Sequence, residues 1–383
     1  MKTLFFFSIL AIYLMSSPIS AQNTAANTND PGYFPIAVWL QAPTLVDEYK
    51  ANGINMFVGV HGGLDQQKLD YFKSADMKFI CDQNEFGRNH LDEPLIYAWM
   101  HGDEPDNAQL NRKTKEYDPC INPEIIINHY NEIKKNDPTR PVYLNLGRGV
   151  AVTNWAGRGA CRGKTEMYMV SNNGYLKGCD IGSFDVYPVN SRDDEVHGNL
   201  WYVAKGINNL KKWSNYAKPV WCWIETSAYG ENSPRKPTPK EVKAEVWMAL
   251  INGASGFGYF CHKFYPEFDA AAPLHDKEMI SSMKVINEQV TSLAKVLNSQ
   301  NTSGFAMAKS SNPSIPVDIM TKNYDNENYL FAVAMRPGQT KTVFEVAKGS
   351  EVEVLGENRN MKIIDGKFTD DFSDYDVHLY KIK

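Results

Sequence analysis

The sequence lacks a strong charge of either sign, and after its first residues it lacks any long apolar run. Its 40 Lys and Arg residues and 45 Asp and Glu residues give a net charge of -5, and the basic residues are scattered. Nucleic acids and anionic membranes bind clustered positive charge, so we expect neither partner. Beyond the N-terminus no segment approaches the roughly 20 apolar residues of a membrane span, so we expect no span.

Motifs of metal and cofactor chemistry are also missing. There is no HExxH, no His-x-His pair at the end of the first predicted strand, and the eight histidines are dispersed. A barrel metallohydrolase would therefore lack its ligands. The GxSxG turn of serine hydrolases and a Gly-rich phosphate turn do not occur either. We expect no catalytic metal and no cofactor, and the sequence leaves a structural calcium open.

The first residues, MKTLFFFSILAIYLMSSPISAQ, combine a lysine, an apolar stretch and small residues in the order of a secretory signal peptide. We predict that residues 1–21 are removed by cleavage after Ala21 and that the polar residues 22–30 form a flexible linker. The mature protein is expected to be secreted or periplasmic.

Six cysteines in an exported protein permit disulfide bonds, although a chain of 383 residues can build a core without them. Three lie in loop-like sequence and could supply one bridge whose pairing is open: Cys120, Cys161 and Cys179. The other three lie inside apolar runs and are predicted to be buried: Cys81, Cys222 and Cys261.

Short runs of β-branched and aromatic residues alternate with segments of helical period up to about residue 300, as in βα units. Eight runs read as strands: residues 34–40, 54–60, 78–83, 96–101, 141–147, 181–188, 219–225 and 256–263. Six amphipathic segments between or after them read as helices: residues 44–53, 66–77, 123–136, 201–217, 238–254 and 278–297. This count predicts an α/β fold, a (β/α)8 TIM barrel over residues 31–300, rather than a doubly wound sheet.

The pattern changes after the barrel. From residue 311 to 383, runs such as NYLFAVAMRP and KTVFEVA are bounded by turn residues and no helical segment interrupts them. We predict a small antiparallel β-sandwich as the C-terminal domain.

Two glutamates fall where a barrel carries its chemistry, at the C-terminal ends of the strands. Glu104 follows the fourth strand in IYAWMHGDEPD, and Glu225 ends the seventh in PVWCWIE. These strands face each other across a barrel, so the two side chains can converge on one bond. Two carboxyl groups about 5–5.5 Å apart are what retaining glycosidases use, one as proton donor and one as nucleophile.

The surroundings of the two glutamates suggest different roles. Asp103 beside Glu104 favours the protonated form of Glu104 by repulsion, whereas Thr226 and Ser227 could hold Glu225 ionised. Asp106 of the same turn is interpreted as an ordinary turn residue.

The pattern Asp103-Glu104-Pro105 closing strand four, with Glu225 closing strand seven, resembles the cellulase-like clan A of retaining glycoside hydrolases. The resemblance spans the barrel and extends to secreted polysaccharide-degrading members, including family 158 β-1,3-glucanases. It implies Glu104 as acid/base and Glu225 as nucleophile. It also implies that Tyr187 in DVYP hydrogen-bonds the nucleophile.

Further substrate contacts are expected near the strand ends. Trp39 and Trp223 can stack on sugar rings, and Asp103 can orient the substrate. The resemblance implies an arginine on strand two and a tryptophan on strand eight, which this chain lacks. His61 and His262 are the candidates for those places, the latter together with Phe260 or Phe264. The long segment 148–178, which contains Trp155 and Arg158, is predicted to form a cleft wall.

We therefore predict a retaining β-glycoside hydrolase that acts on a polysaccharide or oligosaccharide, with β-glucan as the preferred interpretation. Two alternatives stay open: a carbohydrate-binding barrel without catalysis, and an inverting hydrolase. The sequence leaves the oligomeric state undetermined.

Overall fold

The computed structural model describes residues 30–383 except residues 112, 154, 156, 159–160, 162–163 and 232. The predicted signal peptide, residues 1–21, and the linker up to residue 29 lie outside the described residues. Within the described part of the chain, no helix has the length and apolar character needed to cross a membrane.

Eight parallel strands close into a barrel in which each strand pairs with the next and the eighth pairs with the first. They are β1 Ile36–Trp39, β2 Met56–Val58, β3 Lys78–Cys81, β4 Ile96–Met100, β5 Val142–Leu146, β6 Ile181–Asp185, β7 Val220–Glu225 and β8 Gly256–Phe260. The predicted (β/α)8 barrel is confirmed, and each predicted strand contains the strand observed.

Helices surround the barrel, and all six predicted helical segments are confirmed. The described α-helices are α1 Val46–Ala51, α2 Gln66–Ser74, α3 Glu85–Arg88, α4 Pro123–Asn136, α5 Tyr202–Trp213, α6 Pro239–Ile251, α7 Lys277–Ser292 and α8 Ala294–Leu297. The short helix α3 was not predicted, and α7 and α8 divide one predicted segment. Their starts follow local chemistry: Asn122 caps α4 ahead of Pro123, and Thr238 with Glu241 forms a capping box on α6.

Large aromatic side chains fill the interior of the barrel. Trp221 and Trp223 of β7 point inward on alternate positions, and the neighbouring strand β8 carries Gly256 and Gly258 beside them. A Cβ atom at either glycine would overlap an indole ring, so only glycine fits. This packing makes the barrel interior a solid core beneath the C-terminal ends of the strands.

The C-terminal domain consists of two antiparallel sheets, in agreement with the predicted β-sandwich. Its strands are β9 Ala306–Ser310, β10 Val317–Tyr324, β11 Glu327–Ala334, β12 Thr340–Val346, β13 Glu351–Val354, β14 Arg359–Lys362, β15 Lys367–Phe372 and β16 Val377–Ile382. The sheet orders are β10-β11-β16-β13-β14 and β15-β12-β9. Strand β9 pairs with β12 although it precedes residue 311, where the sequence places the start of this domain.

The domain packs against helix α6 of the barrel. Trp247 lies 5.3 Å from the ring of Phe331, and Lys240 forms an ion pair of 2.8 Å with Asp376. The sheets therefore cover the outer face of helix α6.

Candidate active site

A cavity of about 380 Å³ opens at the C-terminal end of the barrel. Its wall is formed by the segments that follow β4, β5, β6, β7 and β8. The residues used below that line it are Glu104, Arg148, Trp155, Arg158, Asp185, Tyr187, Tyr229, Phe260 and Phe264. The cavity is thus lined by two carboxyl groups, two guanidinium groups and several aromatic rings.

Glu104 lies at this cavity in a strained turn. Its φ angle is 44°, in the left-handed region that non-glycine residues rarely adopt, and such strain is often found at functional sites. Arg158 Nη2 lies 3.1 Å and Asn107 Nδ2 2.9 Å from Glu104 Oε2, and both donate to it. A Cβ on Gly147 would lie 2.9 Å from Glu104 Oε1, so the glycine that follows β5 leaves room for this carboxyl.

Asp103 is exposed as a whole residue, but its Oδ1 faces the barrel and accepts a hydrogen bond of 2.9 Å from Asn145. Removal of the carboxyl from water, together with the charge of Glu104, raises the pKa of Asp103 to about 7. From Asn145 the hydrogen bonds continue inward to side chains of the barrel interior. In order, these are Ser183, Tyr143 and Trp223.

Asp106 is not an ordinary turn residue. It is 3% exposed, and its carboxyl accepts hydrogen bonds from Gly147 N at 2.8 Å and Tyr168 OH at 3.0 Å. Burial, and next the charge of Glu104, raise its pKa to about 7. Asp106 therefore joins the turn after β4 to the segment after β5 through these two hydrogen bonds.

Asp185, the last residue of β6, is the second carboxyl group of the cavity. Its Oδ1 is buried and has no hydrogen-bond partner among the described residues. Burial and then the charges of Glu104 and Asp103 raise the pKa of Asp185 well above the ordinary value. A buried carboxyl group beside other carboxyl groups favours its protonated form, so Asp185 is the candidate proton donor of the cavity.

Glu225 ends β7 as predicted but is fully buried, and it is not among the described residues that line the cavity. Its carboxyl accepts hydrogen bonds from Val189 N at 2.6 Å, Asn190 N at 2.9 Å and Asn190 Nδ2. Burial outweighs these bonds and raises its pKa to about 7. The turn after β6 thus separates Glu225 from the cavity.

Behind Glu225 lies Glu245 of α6, which is also fully buried. Neither of its oxygens accepts a hydrogen bond from a donor among the described residues, and its carboxyl contacts that of Glu225. Burial and the charge of Glu225 raise the pKa of Glu245 well above its ordinary value. The folded protein therefore favours the protonated form of Glu245.

Replacing Glu245 by glutamine is expected to stabilise the protein at pH 8 by roughly 1–3 kcal/mol. In the wild type this group keeps its proton when folded but loses it on unfolding, which lowers stability as pH rises above the unfolded pKa. Glutamine is neutral in both states, so the gain should vanish near pH 4. Thermal unfolding at pH 4 and pH 8 measures this gain in stability. An equal rise in melting temperature at both pH values would contradict a raised pKa of Glu245.

The other predicted substrate-binding residues lie in different places. Tyr187 lines the cavity, whereas Trp39 and Trp223 are buried in the barrel interior with ring centroids 4.9 Å apart. His61 is exposed in the turn after β2 and is not among the described lining residues. His262 is buried beneath Phe264, with ring centroids 5.9 Å apart. Sugar stacking on Trp39 or Trp223 would require the barrel interior to open.

The segment after β5 forms a wall of the cavity, as the sequence predicts. Arg148 donates to Asp193 at 2.8 Å, and its buried Nε has no acceptor among the described residues. Trp155 packs against Gly149, and Arg158 reaches Glu104. The free Nε–H of Arg148 is a ready donor for a ligand hydroxyl.

A disulfide bond between Cys120 and Cys161 joins this wall to the segment before α4, with the Cα atoms 5.6 Å apart. The bridge spans 41 residues, and Cys161 N donates to Arg158 O at 3.1 Å. Cys179, the third candidate, is a free and buried thiol, as are Cys81, Cys222 and Cys261.

The double variant Cys120→Ser, Cys161→Ser is expected to lose roughly 2–4 kcal/mol of stability, because the bridge restricts the unfolded chain. Thermal unfolding measures the loss. An unchanged melting temperature, together with six free thiols in the wild type by mass spectrometry, would contradict the bridge.

Sequence reasoning missed Asp185 and Arg148. Asp185 lies two residues before Tyr187, on the same face at the end of β6, so the strand-end rule that selected Glu104 also applied to it. No sequence pattern marked Arg148, because its position at the cavity depends on the irregular conformation of the long segment 148–178.

Among the described residues, no group of three or more His, Cys, Asp or Glu side chains is arranged to hold a metal ion.

Neither a protein-family model nor a curated protein matches this sequence. Solved structures do match. A Glu-to-Gln variant of AmyP in complex with maltotriose has 9% identity and a TM-score of 0.58, covering 96% of this chain and 99% of that one. The noncanonic maltogenic α-amylase AmyB from Thermotoga neapolitana has 10% identity and a TM-score of 0.54, covering 93% and 99%.

The α-amylase from Geobacillus thermoleovorans, solved with acarbose, has 12% identity and a TM-score of 0.51, covering 92% of this chain and 98% of that one. At such identities the likeness concerns the fold: this chain has the architecture of these proteins, a (β/α)8 barrel followed by a C-terminal β-domain.

Proposed function

We propose that this protein is a glycoside hydrolase in which Glu104 and Asp185 form the reacting carboxyl pair. The observation that carries the proposal is their placement: both line one cavity at the C-terminal end of the barrel, where burial and then the charge of Glu104 raise the pKa of Asp185. Enzymes with this fold carry their chemistry at that end. Hydrolysis of a glycosidic bond needs a carboxyl group that donates a proton and a carboxylate that supports the sugar carbon.

Proton donation is assigned to the pair, with the proton resting on Asp185. Burial and neighbouring charge favour the protonated form of Asp185, while Arg158 and Asn107 donate hydrogen bonds to Glu104. The sequence favoured Glu104 as the proton donor; this proposal assigns the proton to Asp185. When the glycosidic bond breaks, the leaving oxygen keeps the bonding electrons and takes the proton from the carboxyl pair. The water that later attacks the sugar carbon returns a proton to the carboxyl pair.

Attack on the sugar carbon is the second role. Glu225 is the nucleophile that the resemblance implies, and its three hydrogen-bond donors suit a carboxylate. To reach a sugar it needs the turn at Val189 and Asn190 to move aside. Asp185 is the alternative, if substrate binding separates it from Glu104 to the spacing of a retaining pair and its proton passes to Glu104, which then protonates the leaving oxygen. Both routes retain the anomeric configuration.

Two similarities bear on the sugar class. The resemblance at Glu104 and Glu225 favours a β-glucan, whereas the structural neighbours named above are α-amylases or are bound to maltotriose. The aromatic rings and Arg148 at the cavity suit a neutral carbohydrate of either linkage.

An extracytoplasmic location is part of the proposal. The sequence of residues 1–21 and the Cys120–Cys161 disulfide both fit an exported protein. Expression in a bacterial host and N-terminal sequencing of the periplasmic protein test this. A mature chain that begins at Gln22 is expected, and retention of residues 1–21 in the cytoplasm would contradict it.

The function is tested by incubating the protein with laminarin, soluble starch, xylan and galactomannan and measuring new reducing ends. At least one is expected to be hydrolysed, and proton NMR of early products should show the retained anomer. Binding of a polysaccharide without new reducing ends would favour the non-catalytic alternative. The inverted anomer would favour an inverting hydrolase.

A further inference from the structure

A row of aromatic rings leads from the reacting pair to the outer surface. Phe260 lies 5.1 Å from Tyr187, Phe264 lies 6.4 Å from Phe260, and Phe268 lies 5.6 Å from Phe264, measured between ring centroids. Successive rings are tilted by only 30–36°. Tyr187, Phe260 and Phe264 line the cavity, and Phe268 continues the row beyond it.

The outer two rings are exposed to an unusual degree. Phe264 is 53% and Phe268 64% accessible to solvent. Single exposed apolar residues are common, but adjacent exposed phenylalanines that continue a cavity wall indicate a binding surface.

The segment that carries these rings is held in place by hydrogen bonds. Lys263 and Asp269 exchange two backbone hydrogen bonds of 2.8 Å each, and Phe264 N donates to Tyr229 O at 2.7 Å. Asp269 is fixed in turn by His275 at 2.8 Å. The rings are therefore presented by an ordered turn, so little conformational entropy is lost when a ligand binds them.

We propose that Phe264 and Phe268 form a subsite for sugar units of an extended glycan that lie outside the cavity. This inference rests on the proposed function and deepens it, because it names the substrate class: a polysaccharide or long oligosaccharide. Aromatic rings stack on the apolar faces of pyranose sugars. The spacing along the row is comparable to the length of one sugar unit, so successive units of one chain can contact successive rings.

The test uses affinity electrophoresis of the full chain carrying Glu104→Gln, so that the glycan is not consumed. Gels contain laminarin, soluble starch, xylan or galactomannan. We expect one polysaccharide to retard this protein. Adding Phe268→Ala or Phe264→Ala should weaken the retardation about tenfold. Tyr216→Ala, which removes an exposed ring from the turn before β7 at the opposite end of the barrel, should leave it unchanged.

A second readout separates the subsite from folding and from catalysis. With the wild-type active residues, Phe268→Ala should lower kcat/KM for the polysaccharide about tenfold more than for the aryl glycoside of the same sugar, mainly through KM. Phe268 is exposed, so the melting temperature should not change.

Equal losses for the long and short substrates, or unaltered retardation, would overturn the subsite and leave the proposed function standing. If no polysaccharide retards the protein, the subsite is also overturned, and the release of reducing ends decides the proposed function independently. A shift from dimer to monomer on gel filtration of Phe268→Ala would instead identify a contact between two copies.

Discussion

Replacement of Glu104 by glutamine is expected to lower kcat/KM by roughly 10²–10⁴-fold on any glycan that the wild type hydrolyses. Glutamine keeps the size of the side chain and can still accept a hydrogen bond from Asn107, but it lacks the carboxylate charge that acts on Asp185. The loss should appear mainly in kcat, since proton transfer matters in the transition state.

The matched control is Glu116→Gln, which changes an exposed glutamate in the same segment after β4. It should retain wild-type kinetics, and both variants should keep the wild-type melting temperature to within a few degrees. Loss of activity in Glu116→Gln, or near-normal activity in Glu104→Gln, would remove Glu104 from the mechanism.

The variant Asp185→Asn is expected to lose activity to a similar degree, because asparagine keeps the contact with Tyr187 but holds no transferable proton. The wild type should lose kcat/KM as pH rises through the raised pKa of Asp185, because the proton donor is then ionised. The residual activity of Asp185→Asn should lack this decline. A profile with the same decline in the variant would assign the proton to another group.

Glu225→Gln separates the two routes of attack. If Glu225 is the nucleophile, the variant should be as inactive as Glu104→Gln, and a 2-fluoro glycoside should label Glu225 in the wild type, as peptide mass spectrometry would show. If Asp185 attacks, the label should lie on Asp185, and Glu225→Gln should alter mainly stability, since Glu225 is fully buried against Glu245.

The barrel could be predicted from the sequence because apolar residues recur regularly in its strands and helices. The pattern of strand β4 and the turn after it placed Glu104 correctly at the C-terminal end of the barrel, where it lines the cavity. The same reasoning placed Glu225 at the end of β7, but the turn at Val189 and Asn190 folds over it. That cover depends on contacts 35 and 36 residues apart, which no local pattern reports.

The predicted tryptophans show a related limit. Trp39 and Trp223 lie near strand ends, yet they pack on each other inside the barrel because Gly258 of the adjacent strand leaves space for Trp223. The sequence pattern gives the direction of a side chain along a strand but not how deep in the barrel its ring lies. The exposed rings of Phe264 and Phe268 follow β8 in an irregular turn, where periodicity carries no information.

The central claim is that Asp185, beside Glu104 at the C-terminal end of the barrel, holds the proton used in catalysis. Carbon-13 NMR titration of the carboxyl groups in protein labelled at Asp and Glu tests it directly. Several carboxyl groups should titrate above their ordinary range, and we predict that the resonance among them that disappears in Asp185→Asn moves to lower pH in Glu104→Gln. Ordinary acidic titration of the Asp185 resonance, unaffected by Glu104→Gln, would contradict the account.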